Sequence, residues 1–346
     1  MYSNPNGRLA IYANMNGKYY GQKMVESLNI LLAKCENEEE ISLKVPEVAE
    51  FPNSMLKIRL SDKVRGEDAY LIQWFPKVTF DEGKNEFNAT RNKEEFFHTI
   101  AALFQAGVKR LTLITPYAYD QRKDTLEGRD TIGAALFCQE LAGVTHRERM
   151  QAFCLDVHAQ QIVGFYQLIN INMVSVPMFR TFVDFIKEEY PNILKNALLV
   201  LPDEGASKRG RKFSELMGLD RITITKRRIN PTDTKVEFFA SKNVDLEGKT
   251  GILVDDILAS GSTAETATEY LKSKGLSKSF WIMTHPEVTD IKRLDKMHEQ
   301  GLFEKIFIAD TIALPRDYFI HVPTSKLMAR LIYNVHTDQS ISDYLI

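Results

Sequence analysis

Short apolar, β-branched runs alternate with amphipathic segments along the whole chain. AYLIQW (69–74), RLTLITP (110–116) and MQAFCLDVH (150–158) predict strands, and KEEFFHTIAALFQAG (93–107) and TIGAALFCQELAG (131–143) predict helices between them. The second half repeats the scheme. NALLVLPDEG (196–205), ITITKRR (222–228), TGILVDDILASGST (250–263) and FWIMTHP (280–286) begin as strands, and AETATEYLKSKG (264–275) predicts a helix. Alternating β and α units imply parallel sheets covered by helices, hence an α/β fold. The stretch 75–92 is polar and irregular and is expected to be a surface excursion.

In such sheets ligands sit beyond the carboxyl ends of the strands. That rule directs attention to the loops after Pro116, Asp156, Leu201, Lys226 and Val254.

The chain has 346 residues, comfortable for two domains. A net charge of −2 gives no support for a nucleic-acid or anionic-membrane surface, so local basic clusters matter more than the total. The three cysteines, Cys35, Cys138 and Cys154, are odd in number and lack CxxC spacing, so they read as reduced thiols rather than disulfides or a zinc site. No run approaches the roughly 18 apolar residues of a membrane helix, and the N-terminus has no signal-peptide h-region. A soluble, cytoplasmic protein is expected.

The strongest local signal is GILVDDILASGST (251–263). An apolar strand delivers Asp255 and Asp256. The small residues Ala259, Ser260, Gly261, Ser262 and Thr263 then open a helix. Backbone N–H groups at a helix start favour a phosphate, and small side chains allow its close approach. Paired acids suit two ribose hydroxyls, or a Mg²⁺ ion near them. The competing reading is a buried strand followed by a solvated acid pair and an N-capping serine.

VDDILASGST resembles the ribose-5-phosphate loop of the phosphoribosyltransferase fold. Further segments resemble ribose-phosphate pyrophosphokinases in order and spacing: VRGEDAYLIQ (64–73), CLDVHAQQIVGFY (154–166), PDEGASKRGRKFSELMG (202–218), ITKRR (224–228) and the SISDYLI tail. This collinear set distinguishes the family from phosphoribosyltransferases, which share only the VDDILASGST part. The resemblance implies two tandem phosphoribosyltransferase-like domains, each a mainly parallel sheet flanked by helices. It places the ATP side in 1–177 and the ribose 5-phosphate side in 178–346, with the last helix packing back on the first domain. It implies a homo-oligomer, dimer or hexamer, and Mg²⁺ as cofactor. The reaction would be ATP + ribose 5-phosphate → AMP + phosphoribosyl pyrophosphate.

The resemblance assigns residues as well. Lys226 becomes the catalytic lysine and Arg228 a substrate contact, on a loop of the lid type, where a solvated basic turn is the plainer alternative. Cations brought in by such a loop stabilise charge on the phosphoryl oxygens. FPNSMLKIRL (51–60) resembles a hairpin whose aromatic residue, here Phe51, and the residue two further on, Asn53, hold adenine in a neighbouring subunit's site. PYAYDQRKDTLEGRD (116–130) resembles a loop that grips ATP phosphates, with Gln121 and Lys123 matching. His158 falls to the Mg·ATP site, as an ATP contact and metal ligand, against a capping or core role. Asp255, Asp256, Ser260, Gly261, Ser262 and Thr263 fall to ribose 5-phosphate.

Some positions depart from the family pattern. Met55 replaces a glutamate, Asp120 an arginine, Ala259 an aspartate and Ser262 a smaller residue. With Asp120 at the arginine position, Arg122 or Arg129 is the alternative cation. Counting back from Pro177 puts Ile171 where a metal-holding aspartate usually stands, flanked by Asn170 and Asn172. Two further functions stay open: a non-catalytic homologue of the same fold, and a phosphoribosyltransferase.

Overall fold

A computed structural model describes residues 5–34, 40–77, 88–202, 207–228, 236–240 and 244–345, with the backbone alone at 207–208, 225–228 and 236–240. Two compact units result. Unit 1 is Met1–Pro177 with Thr311–Ala313 and Thr324–Ile346, and unit 2 is Met178–Asp310 with Leu314–Pro323.

Unit 1 runs β1 (Arg8–Ala13), α1 (Lys18–Lys34), β2 (Leu43–Lys44), β3 (Glu47–Glu50), β4 (Leu56–Arg59), β5 (Glu67–Ile72), α2 (Ala89–Gln105), β6 (Arg110–Ile114), α3 (Gly133–Thr145), β7 (Met150–Leu155), α4 (Gln160–Gln167) and β8 (Ile171–Val176). Its sheet has the order β2-β1-β5-β6-β7-β8, with every pairing parallel. Burial on both faces explains why β5 is buried at all six positions. Strands β3 and β4 form a separate antiparallel hairpin.

The two acids that open β5 are fully buried and saturated with donors. Tyr12, Arg8 and Lys44 donate to Glu67. Arg110 donates to Asp68 from Nε (2.6 Å) and Nη2 (2.5 Å), and His336 Nδ1 lies 2.7 Å from the same carboxylate. Arg110 also donates to the Val335 carbonyl, so this cluster holds the end of the C-terminal helix in unit 1. Removing one partner from a buried pair of this kind costs about 3–5 kcal/mol.

Unit 2 runs α5 (Phe179–Glu189), β9 (Ala197–Leu201), α6 (Ser207–Met217), β10 (Arg221–Arg228), β11 (Val236–Ala240), β12 (Thr250–Ile257), α7 (Ser262–Lys272), β13 (Lys278–His285), α8 (Ile291–Glu299), β14 (Lys305–Ala309) and β15 (Phe319–Val322). The chain then returns to unit 1 as α9 (Thr324–His336). The sheet order is β11-β10-β9-β12-β13-β14-β15, parallel except for the antiparallel β10–β11 pair.

The structure corrects several sequence expectations. Helix α2 begins at Ala89, four residues early, because Asn88 caps it by accepting from the Arg91 N–H at 2.8 Å. The stretch 75–92 is no simple surface excursion: Phe75 and Asn92 at its ends are buried, while 78–87 lie outside the described residues. Strand β10 runs to Arg228 as the ITITKRR run predicts, but the lid-type stretch re-enters the sheet at Val236. The lid loop itself, 229–235, lies outside the described residues.

Ile171 is a further correction. It opens β8 and pairs with Met150, the first residue of β7, at the amino end of the parallel sheet. It is fully buried in the apolar core. No ligand at the carboxyl end of this strand can be held by residue 171. Asn170 adopts a left-handed conformation (φ 64°), and its amide donates to the Arg147 carbonyl.

Candidate functional site

In unit 2 the chain leaves β9 toward β10 on one side and comes back to β12 on the other. The crevice beyond the carboxyl ends of β9 and β12 is therefore the switch point where α/β sheets bind ligands. Asp255 and Asp256 end β12 there, Asp256 buried and Asp255 half-buried. Arg209, from the first turn of α6, lies with Nη2 3.3 Å from Asp256 Oδ2 and Nη1 4.0 Å from Asp255 Oδ1. Both carboxylates thus face the Arg209 guanidinium.

After β12 the chain turns through Ser260 and Gly261 into α7. Gly261 sits at φ 75°, a left-handed conformation glycine adopts without strain, and an added Cβ would approach Leu294 Cδ2 to 2.9 Å. Ser260 Oγ donates to Ser262 Oγ and accepts from the Ser262 N–H. Ser262 and Thr263 are exposed at the start of α7, where first-turn amides lack intrahelical acceptors. The loop therefore offers hydroxyls and amides to an anion, with two carboxylates at its entrance.

Lys226 and Arg228 stand on β10. Only Arg221–Thr223 pair with β9, whose last residue is Leu201. From Ile224 to Arg228 the strand pairs with β11 alone, so these residues extend past the sheet on a two-stranded ribbon. The extension runs off the carboxyl end of β9, the same end as the loop at 260–263.

Unit 1 gathers a second set of residues. Beyond β7, Asp156 is buried and left-handed (φ 33°), a strained state for a non-glycine residue. His158 follows, exposed, and its backbone N–H donates to Gln121 Oε1 at 3.2 Å. The loops after β6 and β7 are thereby joined. Gln121 is fully buried, and its Nε2 has no hydrogen-bond partner among the described residues. Lys123 is exposed and donates to Asp130 at 2.6 Å, which lowers the Asp130 pKa and raises that of the lysine. Arg122 and Arg129, the alternative cations, lie on this loop too.

Phe51 and Asn53 stand on the tip between β3 and β4. Phe51 is half exposed beside the more exposed Met55, and Asn53 Oδ1 accepts from the Met55 N–H at 3.2 Å. Among the described residues no three or more His, Cys, Asp or Glu side chains cluster as a metal cage. An ion carried by substrate phosphates fits better, since Mg²⁺ commonly uses only one or two protein carboxylates. Buried Cys138, its thiol pushed up to about 12, and Cys154, raised further by burial, are poor nucleophiles.

Sequence reasoning missed Arg209 as a site residue, although it lies inside the PDEGASKRG segment already singled out. Its helical position brings it to the acid pair. Gly210 beside it permits the close approach of α6 to β9: a Cβ there would lie 2.2 Å from Leu201 Cδ2.

Comparison with known proteins gives this geometry a lineage. The pattern describing the N-terminal domain of ribose phosphate pyrophosphokinase matches residues 11–144. A ribose-phosphate pyrophosphokinase of Thermosipho africanus (strain TCF52B) is 30% identical over 345 residues, covering 96% of either chain. Another, from Bacillus subtilis (strain 168), is 25% identical over 343 residues, again covering 96% of each. The crystal structure of phosphoribosylpyrophosphate synthetase from Mycobacterium smegmatis matches with a TM-score of 0.77 at 22% identity, covering 96% of this chain and 99% of that one, and so shares the tandem fold. No helix among the described residues is long and apolar enough to cross a membrane. With a 30% identical relative matched nearly end to end, the chain belongs to the ribose-phosphate pyrophosphokinase family.

Proposed function

We propose that the protein transfers the β,γ-diphosphate of ATP to the C1 hydroxyl of ribose 5-phosphate, giving phosphoribosyl pyrophosphate and AMP. The C1 oxygen attacks the β-phosphorus, the bond from that phosphorus to the α-β bridging oxygen breaks, and AMP leaves with that oxygen. The hydroxyl proton passes to solvent. The observation that carries this reading is the acid pair and phosphate loop at the β9/β12 switch point, in a chain matched along its length by pyrophosphokinases.

In this reading Ser260, Gly261, Ser262 and Thr263 take the 5-phosphate. Asp255 and Asp256 take the ribose hydroxyls, held in place by Arg209. Gln121, Lys123 and His158 face the nucleotide phosphates in unit 1, and Phe51 and Asn53 serve the adenine of a neighbouring copy in a homo-oligomer. Lys226 and Arg228 neutralise charge on the transferred group from the β10–β11 ribbon. ATP would enter as its magnesium complex; the ion would offset phosphate charge, and His158 would be its protein ligand. Unit 1 serves ATP and unit 2 ribose 5-phosphate. Buried, reduced cysteines suit the cytoplasm.

Measuring AMP released from ATP, with and without ribose 5-phosphate, tests the proposal. AMP that appears only with both substrates and Mg²⁺ supports it. No AMP at any Mg²⁺ concentration favours a non-catalytic homologue. Pyrophosphate release from phosphoribosyl pyrophosphate and a base would instead mark a phosphoribosyltransferase.

A further inference from the structure

Asp120 occupies a position where the family pattern carries a cation, yet its carboxylate does not stand idle. Its backbone is left-handed (φ 54°), a conformation that aspartate tolerates better than most side chains. The Asp120 Oδ2 atom lies 2.3 Å from where a Cβ on Gly133 would be, and its Cγ 2.9 Å. The carboxylate therefore fills the gap left by the missing side chain at the first residue of α3, the end of a helix that favours an acid.

Backbone bonds continue the same fastening. The Gln121 N–H donates to the Ala118 carbonyl, the Lys123 N–H to the Asp120 carbonyl, and the Ala134 N–H to the Lys123 carbonyl. The turn that carries Gln121 and Lys123 is thus tied to α3 at both Asp120 and Lys123. Gln121 is set with its oxygen on the His158 N–H and its buried amide nitrogen without an acceptor among the described residues. An unfilled buried donor is costly, and a ligand oxygen placed there would recover that cost.

We propose that Asp120 and Gly133 form a latch that positions Gln121 and Lys123 for the nucleotide, with Asp120 a positioning residue rather than a ligand contact. The latch rests on the nucleotide-side reading of this loop. It makes room for an acid near a triphosphate by turning that acid into the helix start. Burial raises the Asp120 pKa, with Lys123 and Lys93 opposing, which fits a carboxylate facing protein more than solvent.

Three variants test it: Asp120→Ala, Asp120→Asn and Gly133→Ala. Asp120→Ala and Gly133→Ala are each expected to raise KM for ATP about tenfold, with kcat within threefold and KM for ribose 5-phosphate unchanged. Asp120→Asn keeps the shape and is expected to stay within threefold of wild type. Because both residues act through one contact, the double variant Asp120→Ala/Gly133→Ala should be no worse than either single one. Amide exchange in the substrate-free protein is a second readout that does not need activity. Exchange at Gln121 and Lys123 should quicken in Asp120→Ala while the core strands of unit 1 stay protected. Unchanged exchange at those amides, or an unchanged KM for ATP, would overturn the latch. So would Asp120→Asn as impaired as Asp120→Ala, which would mean that the charge itself meets the ligand. A wild-type protein that makes no AMP sinks the proposed reaction, whereas the exchange comparison still decides the latch.

Discussion

In unit 2 the crevice between the ends of β9 and β12 is lined by Asp255, Asp256 and a small-residue loop whose Ser262 and Thr263 are exposed. In unit 1 the matching crevice lies between β1 and β5, since β1 is flanked by β2 and β5. There the space is closed. The Asn14 amide donates to Gln73 Oε1 at 2.8 Å, Thr99 Oγ1 donates to Asn14 Oδ1 at 2.9 Å, and the Met15 N–H donates to Glu95 Oε1 at 2.9 Å. Asn14, Gln73, Trp74 and Phe75 are all buried. The backbone at Gly17 presses so close that a Cβ would lie 2.4 Å from the Ile72 carbonyl oxygen. Topology decides where a crevice can open, and the side chains decide whether it does. In unit 1 the residues proposed for the nucleotide sit one and two strands further on, after β6 and β7.

The contrast is most sharply tested on the unit 2 side. Lys226→Ala is expected to lower kcat by ~1000-fold, the scale on which a charge-stabilising cation acts in phosphoryl transfer. KM values should move far less, because the lysine acts mainly on the transition state. Near wild-type turnover in that variant would remove the ribbon from the chemistry. Next in size is Asp255→Asn combined with Asp256→Asn. Losing charge-assisted hydrogen bonds should weaken ribose 5-phosphate by roughly 10- to 100-fold, with ATP binding unchanged. Calorimetry showing lost ATP affinity alone would exchange the roles of the two units.

The unit 2 loop was legible in the sequence because its chemistry is local: strand, acids, small residues and helix start fall within thirteen consecutive residues. Arg209 was not, since it reaches the acids through a helix turn and the packing of α6 on β9, neither of which composition reveals. Ile171 misled for the opposite reason. Counting from Pro177 located a residue number but not a sheet end, and a six-residue parallel strand separates its two ends by about 17 Å. Asp120 read only as a missing arginine, because the sequence does not show which way a left-handed residue turns its side chain. The helix boundary at Asn88 was hidden by Thr90, Arg91 and Asn92, polar residues that the capped first turn tolerates.

That misplacement yields a further test. Ile171→Asp should destabilise unit 1 by roughly 3 kcal/mol or more, since it buries a carboxyl group among apolar side chains. Its Mg²⁺ requirement should not fall. Asn172→Asp, next door and exposed, should change neither stability nor Mg²⁺ requirement appreciably. A lower Mg²⁺ requirement in either variant would put this end of β8 back beside the metal.

The smallest expected effect probes the closed crevice itself. Glu95 is buried, and burial raises its pKa above the ordinary value of 4.5, against the pull of the Met15 N–H and Arg91. A carboxyl group whose folded pKa is raised favours the protonated folded state. Its burden on stability is absent below pH 4.5 and grows as pH rises through the folded pKa. Glu95→Gln keeps an oxygen for the Met15 N–H and removes the charge. Its melting temperature should exceed that of wild type by roughly 2 °C near pH 7, and the gap should close as pH falls to about 4.5. AMP formation should be unchanged, because this network fills a crevice rather than serving a ligand. Should Glu95→Gln melt with wild type at pH 7 yet lose AMP formation, the crevice between β1 and β5 would belong to the site, and the contrast between the two units would fall.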